Sequence, residues 1–209
     1  MKSQGISINI DNVTKHYQKN KGIANVTTRF EGGYLNLLTG ENGSGKTTLL
    51  KCIMGLVKYN GSIKRNYSKI GYAPEQFVMP SFMTVSDFLK CIGRVKCGTT
   101  QLTSSYLNEN MAFFELKEAF HMPIGALSNG MKQKVNLLQS MIHQPKILLL
   151  DEPLASLDKD SQTKVIETIL AMSKENLVIV STHHPERFKN RNRRVYHIEN
   201  GNLVRNGCD

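Results

Sequence analysis

Residues 40–47 read Gly-Glu-Asn-Gly-Ser-Gly-Lys-Thr, and no other segment restricts so tightly what this chain can fold into. A run with β character at 34–39 leads into it. Leu49, Leu50, Ile53, Met54 and Val57 follow at the i, i+1, i+4, i+5, i+8 spacing of a helix with one buried face. Strand, glycine-rich turn and helix in that order match G-x-x-x-x-G-K-[ST], a loop whose backbone N–H groups converge on phosphate oxygens beside a helix N-terminus. Gly40, Asn42, Gly43, Ser44 and Gly45 build the loop, with glycine where the backbone needs φ values that other residues avoid. Lys46 is placed to reach the β- and γ-phosphates of a nucleotide and Thr47 to hold Mg2+, with Thr48 next in the helix.

A second constellation sits at 147–152, where Ile-Leu-Leu-Leu runs into Asp151 and Glu152. A short run apolar on both faces is the mark of a central parallel strand, and an open α/β sheet presents its ligand site at such a strand's carboxyl end. Asp151 suits Mg2+ through water, and Glu152, one residue beyond, is placed to orient and partly deprotonate an attacking water. Leu177-Val178-Ile179-Val180 repeats the pattern, and the stripe Val165, Ile166, Ile169, Leu170 between the two completes a βαβ unit.

Elsewhere the chain opens as β, with alternation at 6–10 and a further β segment at 23–30. Asn60-Gly61 reads as a turn, 70–73 as a short strand, and the C-terminal stretch as a hairpin around Asn200-Gly201. Between the strands, residues 82–143 are helical. Thr84 and Asp87 resemble a capping box ahead of a stripe of Val85, Phe88, Leu89, Ile92 and Val95. Tyr106, Leu107, Met111 and Phe114 follow, then Met131, Val135, Leu138 and Ile142.

At 209 residues the chain is one large domain or two tightly associated small ones. Its longest apolar runs fall far short of the ~20 residues that cross a bilayer, and the N-terminus lacks the apolar core of a secretory signal, so the cytoplasm is the expected address. Cys52, Cys91, Cys97 and Cys208 show no paired spacing and are read as reduced thiols. The formal net charge of +10 raises the question of nucleic acid. Lysines are scattered singly, however, and the one dense cluster, Arg187, Lys189, Arg191, Arg193 and Arg194, reads as a solvated face or one near anionic lipid headgroups; no nucleic acid is expected.

With these motifs in place the chain resembles a nucleotide-binding subunit of the ATP-binding cassette (ABC) superfamily, over nearly its whole length. Leu127-Ser128-Asn129-Gly130-Met131 resembles the family's LSGGQ signature, departing from it at Asn129 and Met131. Ser128 and Gly130 match the positions that contact the γ-phosphate of ATP held by the opposite subunit. Tyr17 matches the aromatic residue that stacks on adenine, 155–158 the D-loop joining the two subunits' sites, and His183 the switch histidine that bonds the γ-phosphate. Glu75 stands at the Q-loop glutamine position with Gln76 beside it, and either can approach Mg2+. The glutamate, and the Gly130-Met131-Lys132-Gln133-Lys134 continuation, resemble cassettes paired with exporter-type membrane subunits.

The resemblance implies an α/β P-loop NTPase core of mixed, mainly parallel sheet over 1–81 and 144–209, with an N-terminal antiparallel β subdomain. It implies a helical subdomain over 82–143, ATP and Mg2+ as ligands, and a dimer enclosing two ATP molecules. It also implies a separate membrane-spanning subunit docked near 76–95, on a groove formed with Phe77 and Met79, and a peripheral place on the cytoplasmic face of the cell membrane. A soluble cassette ATPase serving a non-transport machine is the alternative. Such proteins usually carry a long insertion or a second cassette, for which this length leaves no room. A P-loop kinase or GTPase does not account for the LSNGM segment.

Overall fold

The computed structural model describes residues 5–18, 21–97, 104–189 and 191–208. Met1 to Gln4 and the side chains of Cys97, Tyr106 and Cys208 lie outside the described residues. In chain order the strands are β1 (Ser7–Gln18), β2 (Lys21–Glu31), β3 (Leu35–Thr39), β4 (Asn60–Arg65), β5 (Ile70–Ala73), β6 (Ile147–Asp151), β7 (Leu177–Ser181), β8 (Arg193–Glu199) and β9 (Asn202–Cys208). The α-helices are α1 (Lys46–Met54), α2 (Val85–Cys97), α3 (Ser104–Phe113), α4 (Asn129–Met141) and α5 (Lys159–Ser173).

A three-stranded sheet, β2-β1-β4, is antiparallel. The six-stranded sheet runs β5-β6-β7-β3-β8-β9, parallel through β8, with β9 antiparallel at the edge. Every residue of β3, β6 and β7 is buried, the burial that their unbroken apolar runs require of central parallel strands. Alternation along β6 then separates two cores. Leu148 and Leu150 join the cluster that holds Val85, Leu89, Met111, Val135 and Leu138 of the helical segment. Ile147 and Leu149 join the opposite cluster, formed by α1 and the three-stranded sheet. Among the described residues the helical segment shares its core with one face of the sheet that carries the strand ends.

Local chemistry accounts for the element boundaries. Thr84 does cap α2, accepting from the Asp87 N–H at 3.1 Å and donating to the Asp87 carboxylate at 2.7 Å. Strand β1 runs far beyond the alternating residues 6–10 because the pairing shifts register after Ile10, with Asn12 at φ 49°. That bulge rephases the inward positions from Ile10 to Val13 and carries the strand on to Tyr17.

Four expectations are corrected. Asn60-Gly61 is not a turn but the start of β4. Gly61 lies at φ 98°, where an added Cβ would sit 2.4 Å from Asn12 O, so the glycine serves a close strand approach. Val57 falls beyond α1, which Gly55 ends through N–H bonds to Lys51 and Cys52 carbonyls. Val95 is 79% exposed and leaves the buried stripe of α2. The basic cluster is only partly a solvated face: Arg194 pairs with Glu31 at 2.5 Å and lies over the Tyr34 ring, and Arg193 donates to Phe188 O. At Asn200-Gly201, by contrast, both residues have positive φ and close the β8–β9 hairpin as read. Cys52 and Cys91 are unpaired, and burial pushes the Cys52 thiol up to about 11 despite the nearby Lys15 charge.

Candidate functional site

Parallel strands deliver Gly40, Asp151 and Thr182 to one edge of the six-stranded sheet, at the carboxyl ends of β3, β6 and β7. The loop after β3 is shaped by two glycines. At Gly40, φ 144°, an added Cβ would lie 2.2 Å from Ile198 O. At Gly45, φ 118°, it would lie 2.7 Å from the Ile23 side chain. Gly201 of the β8–β9 turn braces the loop from behind, its N–H donating to Ser44 O at 2.9 Å. Helix α1 opens without an acidic residue in its first turn, so its free N–H groups and dipole face the loop without an internal counter-charge. Lys46 is 6% exposed, and its ammonium donates to Gly40 O at 2.7 Å and Glu41 O at 3.0 Å.

Asp151 is 1% exposed. Ser181 Oγ donates to Asp151 Oδ1, while Oδ2 is buried with no hydrogen-bond partner. A buried carboxylate oxygen left bare costs several kcal/mol of lost hydration, so this atom calls for a cation or a bound water. Thr47 and Glu75 share the same cavity wall, an all-oxygen donor set that suits Mg2+. Glu152 follows at φ 47°, its N–H held by Ser181 O at 3.1 Å and Ser181 Oγ at 3.2 Å. That left-handed turn aims its carboxylate along the sheet edge, where His183 Nδ1 lies 3.0 Å from Glu152 Oε1. The contact is at ion-pair distance, and Oε1 is buried with no hydrogen-bond partner.

These groups wall a cavity of about 620 Å3, within the range of small-molecule sites. Tyr17, Asn42, Gly43, Gly45, Lys46, Thr47 and Thr48 line it, and so do Glu75, Asp151 and Glu152. Gly40 and Ser44 shape the loop behind that wall, and Gln76 is exposed outside it. Tyr17 is half-exposed, with the Lys15 ammonium 4.9 Å from its ring centre. Ser128 and Gly130 do not reach the cavity. Ser128 is exposed and caps α4, its Oγ accepting from the Met131 N–H at 3.2 Å.

Lys21 and Gly22 also line the cavity and escaped the sequence reading; their only signal is their place just before the β segment at 23–30. Tyr72 of β5 does not line the cavity but lies near Asp151. Its hydroxyl is buried without a partner, and burial, with the Asp151 charge adding, pushes the phenol above its ordinary range.

A glycine loop opening a helix, a buried basic side chain within it and two carboxylates at a neighbouring strand end define a P-loop nucleotide-binding protein. The chain belongs to the ABC transporter family, whose pattern it matches over residues 23–155. It is 33% identical over 183 residues to the ABC transporter ATP-binding protein YxlF of Bacillus subtilis, a match that covers 84% of this chain and 62% of that one. It is likewise 33% identical over 186 residues to the zinc import ATP-binding protein ZnuC of Rickettsia conorii, covering 85% and 76%. In fold it superimposes with a TM-score of 0.83 on a dimeric ATP-binding cassette bound to ADP and Pi, at 22% identity and covering 95% of this chain and 97% of that one. The chain thus spans less than two thirds of the Bacillus relative.

Proposed function

We propose that this chain is the ATP-binding and ATP-hydrolysing subunit of an ABC transporter, acting as a pair of cassettes that enclose two ATP molecules and drive a separate membrane-spanning subunit. One observation carries the reading: the phosphate-binding and carboxylate residues wall one cavity, whereas Ser128 and Gly130 of the LSNGM segment stand outside it. A site divided in this way is completed by the corresponding segment of a second copy.

In the nucleotide complex the loop from Gly40 to Gly45 and the start of α1 receive the phosphates, and Lys46 exchanges loop carbonyls for β- and γ-oxygens. Thr47 and Asp151 would hold Mg2+, which would supply neutralising charge to the triphosphate. Glu75 lines the cavity and Gln76 does not, which supports Glu75 as the Q-loop residue. Glu152 accepts the proton of the attacking water, and His183 bonds the γ-phosphate from the adjoining strand end. Tyr17 keeps one ring face for adenine.

Exposure supports a narrower docking surface for the membrane subunit within 76–95. Phe77 and Met79 pack against the core, Phe77 in ring contact with Phe88, whereas Val78 is 94% and Phe82 84% exposed. We assign the contact to Val78 and Phe82. The place of action is then the cytoplasmic face of the cell membrane; no helix among the described residues is long and apolar enough to cross it. Transport outward is read from Glu75 and Met131. The alternative is a soluble cassette ATPase serving a non-transport machine.

The purified chain should bind Mg2+–ATP and release phosphate; failure of both overturns the assignment. Val78→Glu combined with Phe82→Glu should reduce the membrane-bound fraction in fractionated cells and leave ATP affinity unchanged. Equal distribution of variant and wild type favours the soluble machine. Cargo flux in vesicles with the membrane subunit settles direction.

A further inference from the structure

Residues 152–158 link the end of β6 to α5, and two glutamines hold the carbonyls of this loop. Gln133 of α4 donates from Nε2 to Pro153 O at 3.1 Å and to Glu152 O at 3.5 Å. Gln162, in the first turns of α5, donates from Nε2 to Leu157 O at 2.9 Å and to Leu154 O at 3.4 Å. Its Oε1 accepts from Arg187 Nη1 at 2.9 Å. Arg187 ends the short turn Pro185–Arg187, which is preceded by His184 and, one residue further back, His183: its N–H donates to His184 O at 3.2 Å, and the next residue, Phe188, is fully buried. A guanidinium has donors only, so the carbonyl end of Gln162 must face Arg187 and the NH2 end must face the loop.

Resting on the function proposed above, we infer that Gln162 and Arg187 are positioning residues, a bridge that makes the His183 turn and the 152–158 loop move as one. The same loop reaches the signature segment. Ser156, at φ 61°, places its carbonyl where a Cβ on Gly130 would come within 3.0 Å. Through Gln162, the strand end carrying His183 is tied to the segment through which one cassette meets the other. The direct approach of His183 to Glu152 fixes spacing within the site; the bridge carries that spacing outward. A helix-capping role for Gln162 would need only its two donor bonds to the loop. The bond to Arg187 is the feature that such a role leaves unexplained.

Two variants separate the halves of the bridge. Arg187→Met keeps the loop bonds and cuts the link to the switch turn. Gln162→Glu keeps an acceptor for Arg187 and loses both donors. Each should lower kcat about tenfold with the KM for ATP within about twofold, Arg187→Lys should recover most of the loss, and Arg187→Met should add nothing in a His183→Ala background. A kcat within twofold of wild type, or an undiminished tenfold loss in the His183→Ala background, overturns the bridge. Hydrogen exchange in nucleotide-free protein provides a readout that does not require hydrolysis. Arg187→Met should speed exchange in 152–158 as well as in 182–188, and acceleration confined to 182–188 overturns the proposal. Wild-type protein that shows the coupled exchange but releases no phosphate would count against the ATPase reading and leave the bridge standing.

Discussion

At the sheet edge Lys46 and Asp151 are buried, at 6% and 1% exposed, while in the helical segment Ser128 is exposed and occupied in capping its own helix. The two regions obey different requirements. A charge taken out of water must be paired, so these two are held by their neighbours, Lys46 by the Gly40 and Glu41 carbonyls and Asp151 by the Ser181 hydroxyl. An exposed hydroxyl already accepting from an N–H has no such requirement, so the Leu127–Met131 segment is stable as it stands. On the pairing proposed above, the helical segment takes up its ligand only beside a second cassette.

The contrast breaks most visibly at Glu152. Glu152→Gln keeps the fold and the phosphate contacts but removes the proton acceptor, and phosphate release should fall about a hundredfold or more. Paired cassettes should accumulate with ATP in size-exclusion chromatography, and wild-type turnover would remove Glu152 from its role. Next comes Lys46→Ala, which deletes a charge-assisted contact where water is scarce and should weaken ATP binding about ten- to a hundredfold by calorimetry.

Ser128→Ala tests the other region. ATP affinity of the isolated chain should be unchanged, while turnover by paired cassettes drops about tenfold; a weaker affinity in the unpaired chain would erase the distinction drawn here. Loss of the α4 cap should cost about 1 kcal/mol of stability besides.

The smallest effect lies at the seam. His143 follows α4, its Nε2–H donating to Ile70 O of β5 at 3.1 Å, and burial, with Lys96 and Lys69 adding, depresses it to about 4. The unfolded chain therefore takes up this proton first. Stability is fully present above the ordinary value of 6.5 and is lost as pH falls towards 4, by about 1 kcal/mol at pH 5 after allowing for partial hydration. Urea melts at pH 7 and pH 5 should show that difference, and His143→Phe should flatten it.

Much of the site was legible because its parts are contiguous. The loop at 40–47, the acids ending β6 and the hydroxyl and imidazole ending β7 each carry their conformation locally, in glycine φ values, apolar runs and strand ends. Periodicity likewise foretold most of the buried stripe of α2, and failed at Val95, because a stripe shows which positions share a face and not how far the neighbouring surface extends along it.

What the sequence by itself determined, then, is the set of short-range structures and the chemistry each one holds: a phosphate loop, a carboxylate pair, a helix cap. Tertiary structure alone decided how they meet. The bulge at Asn12 that brings Tyr17 to the cavity, the entry of Lys21 and Gly22 into its wall, and the placing of Glu75 in that wall with Gln76 outside it all depend on strand register and loop direction. So does the Gln162 bridge, whose partners lie 5, 8 and 25 residues away. The physical reason is that a backbone φ or an apolar alternation is settled within a few residues. A hydrogen bond between two loops exists only after the sheet has set the distance between them.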